Sequence, residues 1–203
     1  MNTKLITILS SLAFAVPVMA APQTFDFKDP KGVNNVVFHL DAPLESINGS
    51  ANGISGIVLF DPEKPADTKG KITVASETLM VPNPMMKGHL HSDAWMNTAK
   101  YPEITFDVRE LKDVKTDGDM VTGNAVGDLT LHGVTREMTV PVKLTYLKDK
   151  LGARVPNMKG DLLVIRANFS VKRSDFDINP KAPEDKVPDE VDLILSIAGA
   201  SPK

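Results

Sequence analysis

Cysteine is absent from the 203 residues. That excludes a disulfide framework, a thiol nucleophile, a thiolate metal site and a lipid anchor on a processed cysteine. Excess positive charge is absent as well, with 23 Lys and Arg against 26 Asp and Glu. A chain without a basic surplus has no electrostatic reason to bind nucleic acid or an anionic membrane surface. No apolar run reaches the roughly 20 residues that an integral membrane helix requires. Gly-x-Ser-x-Gly, phosphate-cradling glycine loops and dinucleotide fingerprints are all missing. No residue is assigned a catalytic role on these grounds.

What is present begins with an export signature. Lys4 supplies a short positive start, Leu5 to Ala15 is mostly apolar, and Val18-Met19-Ala20 fits a small-residue cleavage pattern. Cleavage is expected after Ala20, because a cut after Ala21 would leave Pro22 at the new terminus. The mature chain, residues 21–203, then holds 22 basic and 26 acidic side chains, a net charge of −4. Its length suits one domain with its own core, and export points to the periplasm.

The apolar pattern repeats every second residue. Ile104, Phe106 and Val108 alternate with polar residues, as do Met138 to Tyr146 and Val191 to Ile197. Period two marks strands with one buried face. Further strands are expected at Val36 to Leu40, Ile54 to Phe60, Lys71 to Ser76, Met120 to Leu131 and Leu162 to Val171. Asn48-Gly49, Asn52-Gly53 and Asp117-Gly118 read as turns. Pro141, inside a strand pattern, implies an edge or a bulge. One short helix is expected over Ala94 to Lys100, capped by Ser92 or Asp93 and stopped by Pro102. Many short strands with one helix indicate an all-β fold, a closed barrel or a sandwich. A barrel of about eight strands has room for one small ligand.

Three islands stand out. They are Lys100-Tyr101-Pro102-Glu103-Ile104-Thr105-Phe106, the nine residues from Gly127-Asp128-Leu129 through His132-Gly133-Val134-Thr135, and Arg173-Ser174-Asp175-Phe176. With His89-Leu90-His91-Ser92-Asp93 between the early strands and the first island, their order resembles the YceI-like, polyisoprenoid-binding family from about Phe25 to Ala198. The resemblance implies an antiparallel eight-stranded lipocalin-like barrel with a helix near its mouth. It also implies binding of a long amphiphile (a polyisoprenoid, an isoprenoid quinone or a fatty-acid-like lipid) rather than catalysis. The chain departs from the family pattern at Asp177, usually Gly, at Ala94-Trp95-Met96, often a Phe pair, and at Met85-Met86-Lys87-Gly88.

On this reading the ligand is lined by Phe38, Ile104, Phe106, Val108, Leu129, Leu131, Val140, Phe169, Leu193 and Leu195. Met85, Met86 and Trp95 would form an adaptable lip, since Met suits varied apolar partners. His89, His91 and Arg173 would meet a polar head group. No cofactor is implied beyond a bound isoprenoid or other lipid, and a monomer or weak homodimer is expected. Two other classes stay open. If His89-x-His91 were extended, both imidazoles would share a face and, with His39 or His132, could form a zinc site for a hydrolase or isomerase. A filled barrel that binds a protein partner in a stress response is the third.

Overall fold

The computed structural model describes residues 22–203. The export signature and its cleavage point lie outside the described residues.

Ten strands form one antiparallel sheet in the order β1-β4-β5-β6-β7-β8-β9-β10-β2-β3. They are β1 Gln23–Asp26, β2 Asn35–Asp41, β3 Ser46–Ala51, β4 Ile54–Phe60, β5 Lys69–Ala75, β6 Glu103–Asp117, β7 Met120–Leu131, β8 Val134–Leu147, β9 Gly160–Lys172 and β10 Glu190–Pro202. β1 pairs with β4 along its length and meets β10 at Asp26 and Ala200. That contact closes an eight-stranded barrel of β1 and β4 to β10. The β2–β3 hairpin continues the wall beside the first half of β10.

Alternation sets which side of each strand faces in. Ile72 pairs with Phe106 and Phe106 with Leu129, so these inward side chains form one belt across three strands. The hairpin expected at Asp117-Gly118 is present: Asp117 pairs with Met120 across Gly118 and Asp119, with Gly118 at φ 57°. Pro141 sits where β8 parts from β9. Pairing between those strands begins at Val142, and a proline has no N–H to extend it.

Two strands were not legible as such. β1 is four residues long, and β3 contains Asn48-Gly49, which read as a turn. Gly49 lies opposite Phe38, and a side chain there would collide with the Phe38 ring. The glycine serves close packing rather than chain reversal. Asn52-Gly53 does join β3 to β4.

The helix is also displaced from its expected place. α1 spans Pro84–His91. Asn83 Oδ1 accepts the N–H groups of Met85 and Met86, and Pro84 follows the cap, where its missing N–H costs nothing. The stretch after Ser92 forms turns instead, with Asn97 at φ 42°, a left-handed conformation that ends helical continuation. A second, one-turn helix, α2, spans Leu151–Arg154.

The two ends of the barrel differ. At one end Phe25, Phe60 and Tyr146 pack ring against ring at centroid distances of 5.9 to 6.3 Å. Phe25 meets both other rings edge-to-face, and the three close the floor. At the other end lie α1, the His132-Gly133 turn and the long β9–β10 connection.

Candidate functional site: an apolar cavity in the barrel

Above the aromatic floor the barrel encloses a cavity of about 450 Å³. That falls in the range of small-molecule sites. Its wall includes Phe38 from β2, Ile104, Phe106 and Val108 from β6, Leu129 and Leu131 from β7, and Val140 from β8. Phe169 from β9 and Leu193 and Leu195 from β10 complete the ring. Every strand residue expected to face a ligand is on this wall. Several of them, among them Phe106, Phe169, Leu193 and Leu195, are only half-buried although they point inward. Side chains of a filled core would be sealed by their neighbours.

Sequence patterning missed part of the wall. Ala125 and Ala167, both buried, lie on it. Small side chains on the two strands that flank β8 leave volume that Leu or Phe would occupy. Alternation marks such positions as inward but not as empty.

Helical geometry sorts the lip residues. Met86, His89 and Leu90 share one face at i, i+3 and i+4, and all three border the cavity. Trp95 and Met96 continue that border. Met85 is corrected: it turns outward and is 72% exposed, because it precedes Met86 by one residue on the helix. His91 is corrected as well. Its Nε2 lies 2.7 Å from the Leu79 carbonyl oxygen, and its ring ties α1 to the preceding loop rather than facing the cavity.

Helical rather than extended backbone also separates the imidazoles that a zinc site would need. His89 and His91 are two residues apart on a helix and point to different sides. His39 faces outward from β2, with Nδ1 2.9 Å from Asn48 Oδ1. His132 Nδ1 is 3.1 Å from the Phe176 carbonyl oxygen. Among the described residues no three His, Asp or Glu side chains gather as a metal cage. Asp113 accepts from Asn124 Nδ2 at 2.9 Å.

Arg173 is on the cavity wall and 4% exposed. Its guanidinium donates to the carbonyl oxygens of Pro188, Ile178, Asn179 and Val187 at 2.7 to 2.9 Å. These bonds hold the β9–β10 connection over the mouth. The Trp95 ring lies 5.7 Å from the guanidinium carbon. Burial pushes the Arg173 pKa down, and Asp189 and Glu184 offset this only in part. The remaining polar side chains around the cavity are few: Glu45, Thr68, His89 and Thr105.

Among the described residues no helix is long and apolar enough to cross a membrane. The chain is similar in fold to BcnA of Burkholderia cenocepacia, with a TM-score of 0.66 at 22% identity, over 81% of this chain and 95% of that one. It is similarly related to a polyisoprenoid binding domain from Saccharophagus degradans, with a TM-score of 0.63 at 11% identity, over 89% and 99% of the two chains. In sequence it is 33% identical to Protein YceI of Escherichia coli O157:H7 over 155 residues, 76% of this chain and 74% of that protein. A UPF0312 protein of Yersinia pestis is 32% identical over the same shares. The model of the YceI-like domain matches residues 28–198. With a closed eight-stranded barrel, the expected island order and relatives at this identity, the chain belongs to the YceI-like family.

Proposed function

We propose that the protein is a periplasmic carrier or sequestering protein that holds the tail of one long amphiphile inside the barrel, with the head at the α1 end. The observation that carries this is the cavity, whose wall is built of apolar side chains from β2 to β10 and whose few polar groups include Arg173 and His89. Burial of an apolar tail would drive binding at roughly 25 cal/mol per Å² removed from water. A structural neighbour described as a polyisoprenoid binding domain supports the same class of ligand. Polyisoprenoids, isoprenoid quinones and fatty-acid-like lipids all fit this description. The reading is of binding without catalysis, by a monomer or weak homodimer released from its signal peptide after Ala20.

Native mass spectrometry of protein purified from its own periplasm, followed by extraction and lipid identification, tests this. A discrete extra mass matching an isoprenoid or long acyl amphiphile is expected. A bare chain that takes up no added polyprenyl lipid would overturn the carrier reading in favour of a partner-binding module.

A further inference from the structure

We propose that Arg173 makes the cavity selective for amphiphiles with an acidic oxygen head, a carboxylate or a phosphate monoester, over neutral amphiphiles of the same tail. The inference rests on the carrier reading and adds the chemistry of the head. A guanidinium has five N–H donors. Four are taken by backbone carbonyls, and the fifth, on Nη2, has no acceptor among the described residues. Carbonyl dipoles solvate the charge but do not neutralise it. No carboxylate of the described residues lies within 4.0 Å of Arg173. Asp189, the acid that acts on it most strongly, is already engaged by the backbone N–H and hydroxyl of Ser174, at 2.8 and 2.7 Å. The molecule thus carries a buried cation without a close counter-charge, on the wall of a cavity that is otherwise almost wholly apolar. Burying a charge in that way is costly unless an opposite charge is brought to it.

The surroundings agree in sign. Trp95 and His89 border the same cavity, and neither side chain has a hydrogen-bond partner among the described residues. The one acid on the wall is Glu45, which is exposed to water. An oxygen head placed near Trp95 would accept from donors that are already fixed. Arg173 is held by four bonds and gives up no rotamer freedom to make a fifth. A hydroxyl head could accept the same N–H, but it would leave the charge unpaired.

The test compares ligands that differ only in the head. Delipidated wild-type protein is titrated with oleate and oleyl alcohol, and with geranylgeranyl phosphate and geranylgeraniol, each displacing a fluorescent lipophile. The acid is expected to bind roughly ten-fold or more tightly than its alcohol, as a charge-assisted hydrogen bond to a buried cation would give. A preference for oleate alone or for the phosphate alone still supports the inference and identifies the source of the head. Alcohols that bind as well as both acids overturn it while leaving the carrier reading intact. Failure of all four to bind overturns both. The His89→Gln variant separates the guanidinium from the imidazole: an acid preference that collapses there belongs to the imidazole and sinks the assignment to Arg173. Where Arg173→Gln folds, its acid-to-alcohol ratio is expected to fall close to one.

Discussion

The Tyr101 ring meets the His132 imidazole edge-on, with centroids 4.7 Å apart and planes at 68°. On its other side His132 reaches the Phe176 carbonyl oxygen through Nδ1 at 3.1 Å. Three segments far apart in sequence are therefore joined through one side chain. They are the entry to β6, the β7–β8 turn and the 3-10 turn Ser174–Phe176 after β9. Phe176 is 2% exposed, and Arg136 Nε donates to the neighbouring Asp175 carbonyl at 3.1 Å, across the region where β8 and β9 are not paired. The sequence islands thus form a clasp that shapes the mouth.

Gly133 is the point where that clasp tolerates least. It follows His132 in a two-residue turn with φ of 52° and 77°, and a Cβ at Gly133 would strike the Tyr101 ring. Gly133→Ala combines left-handed strain with steric overlap and is expected to cost about 2 kcal/mol or more. The loss is read as a lower denaturant midpoint with unchanged slope. A variant as stable as wild type would mean that Tyr101 moves away freely and that the clasp is not rigid.

Asp177 offers the opposite case. It stands at φ 54° after the 3-10 turn, in the left-handed region, where the resemblance led glycine to be expected. Its side chain is exposed and makes no hydrogen bond that would repay the conformation. Asp177→Gly is expected to raise stability by about 0.5 kcal/mol, while Asp177→Ala lowers it by about 1 kcal/mol. Thermal unfolding of the pair checks the sign difference.

Period-two alternation made the barrel wall legible because an inward residue on a strand is apolar for solvent reasons alone. It could not show the cavity, since Ala125 and Ala167 read as ordinary small core residues. The helix was misplaced for a different reason. Asn83-Pro84 is a strong start signal, but Met85 and Met86 also fit an apolar lip, and Ser92-Asp93 offers a second cap. With α1 one segment earlier, the face shared by Met86, His89 and Leu90 replaces the expected His89-x-His91 pair. Arg173 was expected to meet a polar head group; its four carbonyl partners depend on a loop whose path no local pattern sets.

Acid should loosen the closed end of the barrel. Asp161 is fully buried; burial pushes its pKa up, but the Asp149 N–H, the Lys203 ammonium and the Tyr146 hydroxyl outweigh this and hold it below the ordinary 3.8. Lys203 Nζ lies 2.8 Å from Asp161 and 2.7 Å from Asp149. Because the folded pKa is depressed, this stabilisation is complete above pH 3.8 and is lost as pH falls through the folded value. Asp29 and Asp189 are depressed in the same direction and act in the same window. Asp161→Asn is expected to cost about 1–3 kcal/mol at pH 7 and to flatten the acid limb. Denaturant midpoints at pH 7 and pH 3 check this; an unchanged difference between the two pH values would exclude Asp161 as a contributor.

The cavity itself can be tested without knowing its ligand. Ala125 and Ala167 lie on the wall and are 3% and 4% exposed. In a filled core, Ala→Leu at such a site forces neighbours out of their rotamers and costs about 1–3 kcal/mol. In a hollow barrel the added methylenes enter open space and bury apolar surface, so Ala125→Leu should be neutral or stabilising by up to about 1 kcal/mol. The same side chain takes volume from a tail, and uptake of a lipophilic fluorophore should fall several-fold. Phe106→Asp places a carboxylate on the same wall and should abolish uptake or folding outright. Stability and uptake moving in opposite directions in Ala125→Leu is the signature of a cavity, and a loss of stability with unchanged uptake would mean that the tail lies elsewhere.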